Sequence, residues 1–269
     1  MNKQFEHIVK KAVAGDKKAL ETIVKEVQDM IYNLALRMLW HPEDAKDATQ
    51  EILIRIITNL GKFEYQSQFK TWVYRIAANH CINYKNKHYR SVNNFQFHAQ
   101  QLAENLSNEI SYTSHEVEKK LLVEEAKVGC SNAMLQCLNQ ENRMIYILGE
   151  ILEFNSTEGA EILSISPPNF RQKLSRCRKR LHDFLHANCG LVNSKNPCRC
   201  HKRVDHSIKE ERIRPNQLLF IKNKKSETLI ETIDHIQHAA NLYHTNASYD
   251  SPRELIGQMK KLIMTTDEG

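Results

Sequence analysis

Little in this chain interrupts it. Of 269 residues only 8 are glycine and 6 are proline, too few for the turn-dense path of a β-sandwich or barrel. No apolar run approaches the roughly 20 residues of a membrane-spanning helix; the most apolar stretch, 144–154, carries Glu150. Charges are scattered through residues 1–15 with no apolar core among them, so neither a secretory leader nor membrane insertion is expected. A Gly-rich phosphate loop, a nucleophile elbow and a His-Glu metalloprotease motif are all missing. That removes the sequence signals of several large enzyme classes, and no catalytic residue is expected. Seven cysteines, an odd number without an export signal, favour reduced thiols or a metal in the cytoplasm over a disulfide framework.

What is present is helical patterning. Hydrophobic residues make up 41%, ordinary for a globular chain. The net charge of +6 is modest, so its placement matters more than its size. Phe5, Ile8, Val9, Ala12 and Val13 follow the three-four spacing of a helix face, and Leu20 through Met38 continue it in a second helix. Pro42 can open a third helix at a position that needs no amide donor, with Ala45, Ala48, Ile52, Ile56 and Leu60 inward and Gly61 as its stop. After a polar and aromatic loop, 62–68, a fourth helix starts near Phe69 and buries Trp72, Val73, Ile76 and Ala77. Residues 91–113 lose the periodicity and read as a linker. Thr113 with Glu116 has capping-box spacing, so helix resumes there. The expected fold class is all-α. The expected divisions are 1–92, a linker 93–113, a second helical unit 114–188 and an extension 189–269.

The most specific local signal lies at 155–185. Asn155 and Glu158 mark a helix start; Ser164-Ile165-Ser166 is a short turn; Pro167 and Pro168 fall in the first turn of the next helix, where missing amides cost little. Phe170, Leu174, Cys177, Leu181 and Leu185 give that helix a buried face. Arg171, Lys173, Arg176, Arg178, Lys179 and Arg180 lie between them. A short helix, a tight turn and a basic helix are what major-groove docking needs, with cations on phosphates and the first exposed turn on base edges. The charge run alone would equally suit a solvated helix face; the capped helix pair around it favours DNA.

The amino-terminal part carries a second signal. Glu43, Asp44, Asp47 and Glu51, with Gln50, set acids along the third helix. Phe63, Tyr65, Phe69, Trp72 and Tyr74 then interleave with Lys62, Lys70 and Arg75, an arrangement suited to single-stranded DNA because bases stack on rings while cations hold phosphates. Trp72 is expected in the core and Tyr65 outside it.

Taken in order, 42–51, 63–69 and 70–79 resemble domain two of extracytoplasmic-function (ECF) sigma factors of bacterial RNA polymerase. Residues 138–143, 158–163 and 166–180 resemble their domain four. The resemblance covers about the first 190 residues. It implies a transcription initiation factor that binds core polymerase through the β′ coiled coil and the β flap, reads promoter DNA and opens it. It implies that Asp44, Asp47, Gln50 and Glu51 meet the polymerase. Phe63, Tyr65, Gln66 and Ser67, with Asn79 and Asn83, would handle the minus-ten strand. Asn169, Arg171, Gln172, Lys173 and Arg176 would read the minus-thirty-five element. An anti-sigma factor is a partner of this class. Gly159 stands where the family has an apolar residue, and Ser164 where it has a turn glycine. A DNA-binding regulator that ignores polymerase would explain 155–185 but leave 42–90 without a purpose.

The extension brings Cys189, Cys198, Cys200 and His201 together in sequence, a thiolate-imidazole set that Zn2+ or another thiophilic metal favours. Cysteine-containing tails of this kind resemble those on some ECF factors. A reduced basic connector with incidental cysteines would read the same way. Cys81, Cys130, Cys137 and Cys177 fall in helical patterns and are expected in the core. Two more helices are expected, with seams at Leu229, Ile233, Ile236, Ala240 and Tyr243, and at Leu255, Met259 and Leu262. Ser251, Pro252 and Glu254 would cap the second.

Overall fold

The computed structural model describes residues 3–84, 94–104, 106–221 and 249–265. The helices among them are α1 (Lys3–Val13), α2 (Lys17–Leu39), α3 (Pro42–Asn59), α4 (Phe69–Asn83), α5 (Phe95–Ala103), α6 (Glu116–Leu135), α7 (Gln140–Tyr146), α8 (Ser156–Leu163), α9 (Pro167–Asn188), α10 (Val204–Lys209) and α11 (Arg253–Thr265). The described residues contain no strand, only an isolated bridge between Cys189 and Cys198, so the chain is all-α. The seam 229–243 and the polar positions 85–93 lie outside the described residues, as does the side chain of Leu262.

The chain forms two compact units, one of residues 1–89, 154–171 and 248–269, the other of 90–153 and 172–247. In the first, Asp16 caps α2 by accepting from the amides of Lys18 and Ala19, a contact worth about 1 kcal/mol. α2 ends on Trp40, held left-handed at φ 60°, and Pro42 then opens α3 at its first position. Ala45, Ala48, Ile52, Ile56 and Leu60 are all buried, as their spacing predicts. Gly61 does not stop α3; a short 3-10 turn, Leu60–Lys62, does so with right-handed backbone. α4 buries Phe69, Val73, Tyr74, Ala77, Ala78 and Cys81. Trp72 and Ile76 are only half-buried, because Trp72 turns toward Phe63 and Phe69, at 5.4 and 5.6 Å between ring centroids.

The second unit differs from expectation at its start. Residues 95–103 of the expected linker are helical, because Asn94 caps α5 through the amide of Phe97 at 2.7 Å. The expected capping box at Thr113 does not form; the Thr113 hydroxyl bonds the Glu118 carboxylate and accepts from the amide of His115. α6 is the centre of this unit. Its C-terminal carbonyls are taken by the buried Arg143, which donates to Leu135 O at 3.0 Å, Gln136 O at 3.2 Å and Leu138 O at 3.0 Å, a cation where helix ends carry negative charge. Its other flank packs Leu122 and Ala126 on Val204 and Ile213. Glu125 on α6 accepts from the backbone amides of Leu219, Phe220 and Ile221 at 2.6–3.1 Å. Residues 189–221 lie as a strap on α6, mostly turns and coil with short helical pieces at His201–Arg203, Val204–Lys209 and Pro215–Gln217.

Candidate nucleic-acid interface

α8 and the start of α9 form a helix-turn-helix. Asn155 accepts from the amides of Thr157 and Glu158, and the Glu158 carboxylate accepts from the Asn155 amide, so this capping box is complete. Ser164 ends α8 left-handed at φ 54°, the conformation that a glycine adopts without strain. Ser166 caps α9 through the amide of Asn169. Gly159 has a reason that its neighbours in sequence hide. A Cβ there would lie 2.4 Å from the Phe170 ring, and that ring, fully buried, fills the space an apolar side chain would take.

On α9, Phe170, Leu174, Cys177, Leu181 and Leu185 are buried, and Arg171, Gln172, Arg176, Arg178, Lys179 and Arg180 are exposed. Several cations already have partners. Arg171 donates to the Ser156 hydroxyl at 3.2 Å, Lys173 is half-buried and pairs with Glu141 at 3.2 Å, Arg178 pairs with Glu150, and Arg180 lies 5.4 Å over the Phe95 ring. Such surface pairs are worth under about 1 kcal/mol, so phosphates can replace them. Asn169 is half-buried at the helix start.

In the first unit the loop 63–68 splits in two. Phe63 is buried, 4.7 Å from Tyr65 and 5.4 Å from Phe69 between ring centroids, and lies at the floor of the groove that Tyr65 and Ser67 also line. Tyr65 is 46% exposed at φ 58°, and Lys10 lies 5.9 Å over its ring. Gln66 is exposed and bonds Glu64 at 2.9 Å, and Ser67 is half-buried. Lys10, Tyr65, Ser67 and Gln68 line a groove of about 460 Å³. Asn79 and Asn83 line a different groove, of about 550 Å³, with Glu51, Arg55 and His80. The structure thus brings Glu51 beside the two asparagines and keeps both from the Tyr65 groove. His80 lies 3.6 Å from Glu51, and burial lowers its pKa more than that carboxylate raises it.

Asp44, unlike Asp47 and Glu51 on α3, is fully buried in this structure. It faces the Tyr84 hydroxyl, whose pKa burial and the nearby Asp44, Asp47 and Glu51 push up to about 12. Asp47 and Gln50 are half-buried and Glu51 is exposed.

The cysteines regroup. Cys130 of α6 joins Cys189, Cys198 and Cys200 around one enclosed cavity of about 30 Å³. His201 is exposed and lines a separate groove. Burial pushes the Cys130 thiol up to about 12, and Cys198 and Cys189 add to that. Among the described residues no three or more His, Cys, Asp and Glu side chains stand as a ready metal site. Cys81 and Cys177 are buried; Cys137 is half-buried in the turn after α6 rather than in a helix. No helix among the described residues is long and apolar enough to cross a membrane.

Residues 23–91 match the family described as sigma-70 region 2. The chain is 27% identical over 186 residues to the ECF RNA polymerase sigma factor SigW of Bacillus subtilis, covering 66% of this chain and 94% of that protein. It is 28% identical over 164 residues to the RNA polymerase sigma factor YlaC of the same organism, covering 61% and 90%. Over a shorter span of 81 residues it is 36% identical to the RNA polymerase sigma-H factor of Pseudomonas aeruginosa, covering 30% and 42%. A solved structure of CnrH in complex with the cytosolic domain of CnrY aligns with a TM-score of 0.49 at 17% identity, over 67% of this chain and 96% of that one.

Proposed function

We infer that this chain is a sigma factor of the ECF group, which binds core RNA polymerase, recognises promoter DNA and promotes strand opening. The single observation that carries this is the sigma-70 region 2 match at 23–91, followed in the same chain by a fully capped helix-turn-helix with a basic second helix. A DNA-binding regulator without polymerase has no use for the first. The polymerase performs the chemistry, so the factor needs recognition surfaces and no catalytic residues of its own. It works in the cytoplasm, where polymerase and promoter are. An anti-sigma factor is the partner class that would hold it inactive.

On this reading 1–92 is the polymerase and minus-ten module, 93–113 the linker, 114–188 the minus-thirty-five module and 189–269 an attachment. Asp47, Gln50 and Glu51 meet the β′ coiled coil, and the second module meets the β flap. Tyr65, Gln66 and Ser67 receive an unpaired base, which a ring beside a cation suits, and Asn79 and Asn83 follow the strand. Asn169, Arg171, Gln172 and Arg176 approach base edges, and Lys173 reaches a phosphate once Glu141 is displaced. Run-off transcription with core polymerase on genomic fragments tests the whole reading: mapped start sites that need this chain support it, and their absence overturns it. Arg171→Ala should cost about 1–3 kcal/mol of promoter affinity while leaving random DNA nearly unaffected.

We further propose that Cys189, Cys198 and Cys200 of the attachment, with His201 as first expected or with Cys130 of α6 in its place, would be the donors for a thiophilic metal. Soft thiolates suit Zn2+, and a dication would remove the cost of ionising several buried thiols together. Titration of the reduced chain with Co2+ tests this. A thiolate-to-cobalt charge-transfer band that is lost in Cys130→Ser but kept in His201→Ala supports the four-sulfur set.

A further inference from the structure

The residues just before the C-terminal helix meet a polar stripe of α2. Asp29, Asn33 and Arg37 follow one another at four-residue spacing, so they form one stripe along α2. All three engage the chain end. Asn33 donates to Tyr249 O and accepts from Tyr249 N, both at 2.7 Å. Asp29 accepts from the amide and the hydroxyl of Ser251. Arg37 lies 5.4 Å over the Tyr249 ring and donates to Asn33 Oδ1 at 3.2 Å. Beyond this clasp α11 packs on α2 and α3 through Leu255, Met259 and Ile263, exposed by 2% or less. Glu254 pairs with Lys46 of α3 at 2.6 Å, and Lys260 with Glu21 of α2 at 3.7 Å.

We propose that α11 with residues 249–252 is an intramolecular occupant of the α2–α3 face, released when core polymerase binds there. The proposal rests on the reading that α3 meets polymerase. Lys46, which holds Glu254, precedes Asp47 and lies one turn before Gln50, so α11 stands at the edge of the surface those residues form. Here the apolar seam is three side chains long, and the clasp beside it joins residues 249–251 to a carboxylate, an amide and a guanidinium, each of which water can satisfy once the clasp opens. Two ion pairs at the surface add little that binding could not replace. The tether works the other way: a segment joined to its own site acts at an effective concentration of order millimolar, which keeps the closed state dominant until a partner with larger contacts arrives. The chain therefore carries its own competitor for the polymerase surface.

The test compares the full chain with a full-length variant, Leu255→Glu with Met259→Glu, whose two new charges cannot be buried. Affinity for core polymerase is measured by titration, with hydrogen exchange at the amides of Tyr249 and Ser251 read in both proteins, free and bound. The variant should bind core about tenfold more tightly, as expected when a closed state holding nine-tenths of the molecules is removed. The wild-type amides should be protected when free and lose protection in the complex. Equal or weaker binding by a variant that keeps its helical circular dichroism overturns the proposal. If the variant does not fold, the wild-type exchange decides alone: Ser251 still protected in the complex overturns it. Failure of the wild type and the variant alike to bind core removes the sigma-factor reading instead, which separates the two failures.

Discussion

The two ends of the extension are held by different physics. Residues 189–221 are fixed to α6 by Glu125, which takes three successive amides, and by Val204 and Ile213 packed on Leu122 and Ala126; they are tied to the segment before α6 by Arg203, which donates to Glu104 O at 2.8 Å, and by Ser107 N, which donates to Lys202 O at 3.0 Å. Residues 249–265 are fixed to α2 by three apolar side chains and a polar clasp. The strap would have to give up three charge-assisted amide bonds to a single carboxylate together with its apolar packing on α6, each such bond contributing about 1.5–3 kcal/mol. A helix held at three apolar points beside a polar clasp leaves groups that water can solvate. Each end is part of the fold of its own unit, and on the proposal above the second is the one that exchanges.

The sharpest way to break this contrast is Glu125→Ala. It should destabilise the second unit by about 3 kcal/mol, because three amides lose one charged acceptor, and urea unfolding followed by hydrogen exchange at Leu219–Ile221 measures it. A loss below 1 kcal/mol would make the strap as dispensable as α11. Leu255→Ala should cost about 2 kcal/mol, the low end for a buried leucine because the site can open. The loss should appear as faster exchange at Tyr249 and Ser251, with the global urea midpoint almost unmoved.

Acid should separate the two ends further. His98 on α5 is half-buried near Arg203 and Arg212 of the strap; its desolvation first, then Arg212, lowers its pKa from 6.5 to about 4. The folded value is depressed, so the unfolded chain binds the proton more readily. The stability from a neutral His98 is complete above about pH 6.5 and is lost as pH falls through about 4. Exchange protection in the strap should fall over that window, while Ser251 keeps its own, and His98→Phe should flatten the strap profile. The smallest effect is expected from Glu254→Gln, which removes an exposed ion pair with Lys46 and should leave exchange at Ser251 within error. A large change there would mean that charge, rather than the apolar seam, holds α11.

Much of the site is legible because local rules act over short spans. Asn155 and Glu158 are three residues apart, and their reciprocal bonds follow from that spacing alone. The buried face of α9 and the inward row of α3 follow from helical periodicity in the same way. Trp72 resists such reading because its ring is placed by Phe63 and Phe69 across the loop, and Asp44 because burial depends on what covers a polar residue. The Ser251 cap fails for a similar reason. Its hydroxyl goes to Asp29, 222 residues away in sequence, and a tertiary partner outcompetes the helix end beside it.

The sequence by itself determined the helices, their caps, the helix-turn-helix and the ordered pair of modules, since each depends on residues within one or two turns of one another. Only the tertiary structure decided that Cys130 joins Cys189, Cys198 and Cys200, that Gly159 makes room for Phe170, and that Asp29, Asn33 and Arg37 receive the chain end. Those are packing outcomes between segments far apart in the chain. Periodicity says which face of a helix is buried, but nothing in it says what buries it.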